Sequence, residues 1–299
     1  MKRILSVALM LAVSLAAMAQ VRVSTPNIEM VLKAEKGGEL QIQYFGEKLS
    51  DADLANLEAA GVPNHNAYPA YGFWCASEAS LGVTHCDGNM STVMRVESVS
   101  QTDEPTAKVT RIRLKDTVYP FYVTVCYRAY QDVDMIETWT EIENLEKKPV
   151  VLTRFDSGYL PIRVGDVWIN HLHGTWANEG LLVQEPIERG MRVIKNKDGA
   201  RNSHTDHAEV MFSLDGKPQE NTGRVIGAAL CYSGNYELRI DTKDTDYHEF
   251  YAGINPDNSA YKLESKEVFK TPELALTFSD EGLSGASRNF HKWGRKYKL

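Results

Sequence analysis

Alternation of apolar and polar residues is the dominant signal along this chain. Residues 108–114 alternate, residues 122–130 do so again, and residues 135–143 repeat the pattern a third time. A period of two places one face of each segment on a core and the other toward water, the pattern of half-buried strands. A Glu146-Lys-Lys-Pro149 turn leads into residues 150–155, and further candidate strands cover 165–173, 190–195, 208–214, 224–232, 236–241 and 247–252. Strands at this density, separated by Gly, Asp, Asn and Pro turns, predict an all-β fold built as a large antiparallel sandwich. Two helices are expected: a short one over residues 51–60, ended by Gly61 and Pro63, and a basic amphipathic one over residues 280–298.

The first residues break this pattern. A basic start at Lys2 and Arg3, an apolar run from Ile4 to Ala17, and the small-residue spacing of Ala17 and Ala19 read as a signal peptide over residues 1–19, cut before Gln20. The run is shorter than the ~20 residues a membrane-spanning helix needs. Export to the periplasm or the exterior is therefore expected, with one domain over residues 20–299, where no repeat, low-complexity linker or composition break appears.

Composition narrows the function classes. The 299 residues are 43% hydrophobic and 24% charged, which excludes a disordered chain, a rod or a multi-pass membrane protein. Without Lys2 and Arg3, 31 basic residues face 40 acidic ones, so nucleic acid and anionic membrane surfaces are poor partners and a neutral ligand is the better expectation. Four cysteines (Cys75, Cys86, Cys126 and Cys231) permit two disulfides, but Cys126 and Cys231 lie in apolar runs where buried thiols are common, and no CxxC pair supports a zinc site.

Candidate chemistry clusters in two places. Residues 170–178 hold His171, His173 and Trp176 among Asn and Thr, and residues 201–207 add His204 and His207. The interleaved polar residues suit hydrogen bonding to a neutral ligand at least as well as metal binding. Residues 68–75 hold Tyr68, Tyr71, Trp74 and Cys75, followed by His85, Asp87 and Asn89; aromatic faces can stack on a sugar ring while Asp87, Asn89 and His85 bond hydroxyls. Asp87-Gly88-Asn89 is equally a tight turn. No GxSxG, HExxH, GxGxxG or P-loop spacing is present, and no cofactor is implied.

The order of Tyr68-Pro-x-Tyr-Gly72, Val83-Thr-His-x-Asp-Gly-Asn89, His173-Gly-x-Trp176, Asn202-Ser-His204, Thr271-Pro-Glu and Phe278-Ser-Asp-Glu-Gly-Leu283 resembles the N-terminal domain of family 36 glycoside hydrolases, the retaining α-galactosidases. The resemblance implies a galactose-mutarotase-like β-supersandwich that accompanies a (β/α)8 catalytic barrel. It implies that Trp176 contacts the sugar, and it places Cys75 where the family carries an Asp that does so. His173, Trp74, Cys75 and Asp87 complete the expected substrate-binding set. The family's nucleophile sits in a barrel Lys-x-Asp motif, and no Lys here is followed two residues later by Asp. Catalytic residues are therefore expected from a barrel downstream or in trans. The partner is then a galactose-containing saccharide, with homo-oligomer formation as a further option. A free-standing carbohydrate-binding module and a mutarotase-type enzyme using His85, His173 or His204 are the alternatives.

Overall fold

The alternating segments pair into three antiparallel sheets in a computed structural model that describes residues 13–14, 20–59, 65–72, 77–199 and 205–299. In chain order the first elements are β1 (Val13–Ser14), β2 (Gln20–Ser24), β3 (Ile28–Ala34), β4 (Leu40–Glu47), helix α1 (Asp51–Ala59) and β5 (His65–Asn66). They continue as β6 (Leu81–Thr84), β7 (Met94–Asp103), β8 (Ala107–Asp116), β9 (Phe121–Tyr130), β10 (Ile136–Asn144) and β11 (Val150–Ile162). Next come β12 (Trp168–Thr175), β13 (Asn178–Pro186), β14 (Gly190–Lys195), β15 (Asp206–Ser213) and β16 (Val225–Leu230). The chain closes with β17 (Tyr236–Asp244), β18 (Tyr247–Ile254), β19 (Tyr261–Leu263), β20 (Val268–Lys270), β21 (Leu274–Ser279) and helix α2 (Gly282–Tyr297).

Two large sheets face each other as a supersandwich, the all-β architecture expected from the alternation. The larger one runs β1-β7-β8-β9-β10-β21-β16-β15-β12-β13, with β20 beside β10; the smaller runs β14-β17-β18-β11-β19, with β6 beside β11. Their inner faces meet through residues such as Ile169, Phe212 and Ile226 on one side and Leu160, Ile240 and Phe250 on the other, where the Phe212 and Phe250 rings contact edge to face at 5.1 Å. Apolar burial between the sheets drives this association. The four-stranded sheet β2-β3-β4-β5 joins the same core through Val23, Met30, Leu32 and Leu40.

Helix α2 covers the outer face of the larger sheet. Ala286, Phe290, Trp293 and Tyr297 recur at helical spacing; Trp293 is buried against Ala107, Tyr130, Met135 and Ala275, with Phe290 and Tyr297 packed beside it. Phe290 seats directly on the backbone of β16, because a Cβ at Gly227 would stand 2.6 Å from its ring. Lys298 Nζ pairs with the buried Glu137 at 2.7 Å, fixing the far end of the helix. Cys86, Cys126 and Cys231 are free thiols, and burial pushes the Cys126 thiol up to about 12; Cys75 lies outside the described residues.

The outer face of the smaller sheet is buried too, although it is charged. Asp156, Glu237, Arg239, Asp241 and Glu249 are nearly inaccessible there, beside Tyr159 and Tyr251. The segment at Ser77 to Ala79 lies over part of this face. Arg239 donates to Asp156 Oδ2 at 2.7 Å and to the Ala79 carbonyl at 3.3 Å, pairs with Glu237 Oε1 at 3.0 Å, and lies over the Tyr251 ring at 4.5 Å. Glu249 Oε1 accepts from Tyr159 at 2.9 Å, from Tyr247 at 2.7 Å and from Ser77. Burial pushes the Asp156 carboxyl above its ordinary value even with Arg239 beside it.

Arg239 is therefore the more deeply buried of two arginines that share these carboxylates: Arg154 Nη1 also donates to Glu237 Oε1 at 3.1 Å and lies 3.8 Å from Asp156 Oδ1. Replacing Arg239 (Arg239→Met) removes the hydrogen bond to Asp156 and leaves only Arg154 to offset both carboxylates, and the expected loss is ~3 kcal/mol in urea unfolding. A midpoint unchanged from the parent chain would show that the network contributes no net stability.

Candidate functional site

Strand β12 lies between β13 and β15, so the larger sheet holds it on both sides, and its outer end carries the first candidate cluster. His171 pairs across to Val183 on β13 and to Val210 on β15. The ladder slips between His171 and His173 on one side and between His173 and Thr175 on the other. Past this point only the two-residue turn Trp176-Ala177 remains, closed by the Thr175 to Asn178 pair. Gly174 is required just before it, since a Cβ there would overlap the Asn178 carbonyl oxygen. Ala177 takes φ 63°, a left-handed conformation that non-glycine residues seldom adopt.

This turn presents Trp176 with 80% of its surface exposed, the most exposed aromatic side chain among the described residues. An exposed indole offers a large, rigid face on which a ligand ring can stack. Three residues earlier, His173 Nδ1 lies 3.0 Å from Asp206 Oδ1. The carboxylate accepts, so a proton sits on Nδ1, and in the neutral imidazole Nε2 of this half-exposed ring is the acceptor. The hairpin end thus offers a flat aromatic face and an oriented acceptor, which together fit a neutral hydroxylated ligand.

Behind His173, His171 points into the space between the sheets. Arg192 on β14 donates from Nη2 to His171 Nε2 at 3.1 Å and also pairs with Glu185 on β13. A guanidinium can only donate, so the His171 proton is on Nδ1, 4.0 Å from Asp206 Oδ1. Burial, and then the neighbouring Arg192 charge, push His171 below the ordinary imidazole value.

The second cluster follows β6. Asp87 Oδ2 accepts from the Tyr119 hydroxyl at 2.9 Å, Asp87 Oδ1 accepts from the Asn89 amide at 3.0 Å, and Gly88 between them takes φ 90°. The Asn89 amide, followed by the Tyr119 hydroxyl, lowers the Asp87 carboxyl below its ordinary range. Beneath the turn, buried His85 donates from Nδ1 to Glu146 Oε1 at 2.7 Å, accepts from Thr92 Oγ1 at 3.1 Å, and stacks on Tyr119 at 3.8 Å. Both ring nitrogens of His85 are engaged inside the protein, so it anchors this turn and is closed to a substrate.

The structure brings His173 and Trp176 together on one hairpin and sets Asp87 apart from them. β14, beside the hairpin, is one edge of the smaller sheet, and β6, which leads to Asp87, lies on the other side of β11, four strand spacings or roughly 19 Å away. Trp74, Cys75 and His204 lie outside the described residues. His207 turns toward Glu209, 3.7 Å away, and among the described residues no group of three or more His, Cys, Asp or Glu side chains could hold a metal ion. Asp206, Arg192 and Glu185 were not singled out from the sequence. Asp206 stands between His204 and His207 in a stretch whose imidazoles draw the eye, and the other two come from strands whose register no local pattern gives.

Around the hairpin the surface is apolar. Leu181 and Leu182 on β13 and Met191 and Val193 on β14 are exposed on the free edges of the two sheets. A groove of about 620 Å3 runs between α2 and the larger sheet, lined in part by Leu172, Leu182, Met211, Leu283 and Phe290.

Comparison with known proteins gives this arrangement a family. The sequence profile described as "Glycosyl hydrolase family 36 N-terminal domain" matches residues 38–264. The α-galactosidase AgaA of Geobacillus stearothermophilus is 30% identical over 190 residues, 63% of this chain and 26% of that protein. An α-galactosidase of Lactobacillus acidophilus is 29% identical over 189 residues, again 63% of this chain and 26% of its own length. The solved structure of the Geobacillus enzyme in complex with raffinose superimposes with a TM-score of 0.85 at 23% identity, covering 93% of this chain and 43% of that one. The α-galactosidase of Lactobacillus brevis gives 0.84 at 20% identity, covering 93% and 42%. By sequence, the matched part of this chain spans about a quarter of these curated relatives, and the profile match covers most of its own length. The chain belongs to the glycosyl hydrolase family 36 N-terminal domain family.

Proposed function

We propose that this chain is the N-terminal β-sandwich part of an exported retaining α-galactosidase, and that it supplies Trp176 and His173 to a galactoside held by a catalytic (β/α)8 barrel. The observation that carries the proposal is the exposed Trp176 on a tightly built turn, with His173 oriented beside it by Asp206. The indole face would stack on the apolar face of the galactose ring, and His173 Nε2 would accept from a sugar hydroxyl. The barrel would provide the two carboxylates that such hydrolysis requires, one as nucleophile and one as acid and base. Relatives solved in complex with raffinose and with stachyose make terminal α-galactosides of that kind the proposed substrates.

The apolar surface favours this role over a free-standing sugar-binding module. Leu181, Leu182, Met191 and Val193, together with the groove beside α2, form an area that a module working alone would leave in water. Packing against a barrel would cover it. Export is part of the same proposal: β2 begins at Gln20, so a chain cut there keeps β2 whole and, among the described elements, loses only the two-residue edge strand β1.

Three outcomes test the proposal. The chain alone is expected to release no nitrophenol from a nitrophenyl α-galactoside, and turnover by the purified chain would contradict it. Mixed with a separately produced family 36 barrel, the parent chain is expected to bind it and to lower the KM for raffinose. Trp176→Ala should weaken that effect about tenfold, while its unfolding midpoint stays within ~0.5 kcal/mol of the parent, as expected for an exposed side chain. An unchanged KM would remove Trp176 from the sugar site. Mass spectrometry of the exported protein should find Gln20 as its first residue; a retained Met1 would refute processing at that position.

A further inference from the structure

The cluster behind the hairpin does more than fill space. His171 is buried, and its Nδ1 has no hydrogen-bond partner, lying 4.0 Å from an Asp206 oxygen that is 3.0 Å from His173. Its other nitrogen accepts from Arg192, which reaches in from the opposite sheet. One neutral imidazole therefore ties β14 to β12 and at the same time leaves the Asp206 carboxylate to its neighbour.

We propose that His171 is a positioning residue for the ligand-contacting hairpin: in its neutral form it anchors Arg192 across the two sheets and leaves Asp206 to orient His173, and protonation reverses both. The proposal rests on the reading of His173 and Trp176 as sugar contacts. An imidazolium has two N–H donors and no acceptor. Its Nε2 proton would face the guanidinium of Arg192, donor against donor and cation against cation, at a separation now of 3.1 Å. Its Nδ1–H, present in both forms, would then carry part of the cation's charge and draw Asp206 from His173 more strongly than the neutral ring does.

The groups around His171 fix what replaces the lost bonds. Glu185 Oε1 on β13 lies 3.6 Å from Nε2, Asp206 on β15 faces Nδ1, Arg192 comes from β14, and the His173 ring stands 6.3 Å away on the same strand. Tyr236 on β17 also lies near Asp206, and burial holds its hydroxyl well above the ordinary value, so it stays neutral. A protonated His171 can thus exchange Arg192 for Glu185 and draw Asp206 from His173. The folded state holds this imidazole below its ordinary value of 6.5, so the stability it contributes is complete above that pH and declines as pH falls below it.

An imidazole and indole NMR titration of the chain between pH 8 and pH 4 tests this without any sugar. The His171 signals should keep the Nδ1–H tautomer at pH 7 and titrate with a midpoint below 6.5. The Trp176 indole signals should move with that same midpoint, the two forms exchanging about tenfold in ratio per pH unit. In His171→Gln, whose side-chain oxygen can accept from Arg192 without titrating, the Trp176 transition should vanish. In Arg192→Gln, which removes the opposing cation at a half-exposed site, the His171 midpoint should rise. A Trp176 transition that persists in His171→Gln, or a His171 midpoint unmoved in Arg192→Gln, overturns the assignment. A coupled titration in a chain whose Trp176→Ala variant leaves the KM for raffinose unchanged would refute the sugar contact alone and leave the His171 coupling standing.

Discussion

Everything this domain can present to a ligand depends on how its two sheets are held together at the rim where β12 faces β14. Apolar side chains fill the middle of the sandwich, but at the rim the filling turns polar, with His171, Glu185, Asp206 and Arg192 in place of leucines and valines. Polar groups in such a place must be paired, because an unpaired one costs about as much as a lost hydrogen bond. Arg192 meets that requirement from the opposite sheet, and the pairing fixes the end of β12 from which Trp176 projects. A rim closed by leucines would leave His173 without its carboxylate.

The same trade appears on the outer face of the smaller sheet. There a layer of carboxylates and tyrosines is buried with Arg239 at its centre, and the chain around Ser77 and Ala79 is tied down onto it. On the other side of β11, His85 and Glu146 anchor the turn that carries Asp87. Each exposed turn is therefore backed by a buried polar cluster, His85 with both ring nitrogens bonded and His171 with one. The hairpin and the Asp87 turn stand on different sides of the smaller sheet, so one small sugar cannot touch both from a single chain.

Much of the fold was legible in the sequence because alternation is a local signal. The periods at residues 108–114, 122–130 and 135–143 correspond to β8, β9 and β10, and the amphipathic spacing near the C-terminus to α2. Strand β13 was not legible: it lies on an edge with nearly all its residues exposed, so no buried face imposes alternation on its sequence. Of the site, the motif His173-Gly-x-Trp176 could be read and proved to be one turn. Its supports could not, because Asp206, Arg192 and Glu185 meet His171 and His173 only through the register of three other strands. The charged layer was hidden for a similar reason: Arg239, Asp241 and Glu249 alternate with apolar residues as an exposed face would, and burial comes from a distant segment.

The central claim is the proposal that a hairpin of this sandwich touches the sugar in a complex with a family 36 barrel. Oxidative footprinting of tryptophan, on the complex of this chain with a family 36 barrel, measures that contact directly. The account predicts that Trp176 oxidises readily in the free chain and is protected in the complex when a saturating α-galactoside is added, over and above any protection by the barrel. Equal oxidation of Trp176 in the complex with and without the galactoside would contradict it.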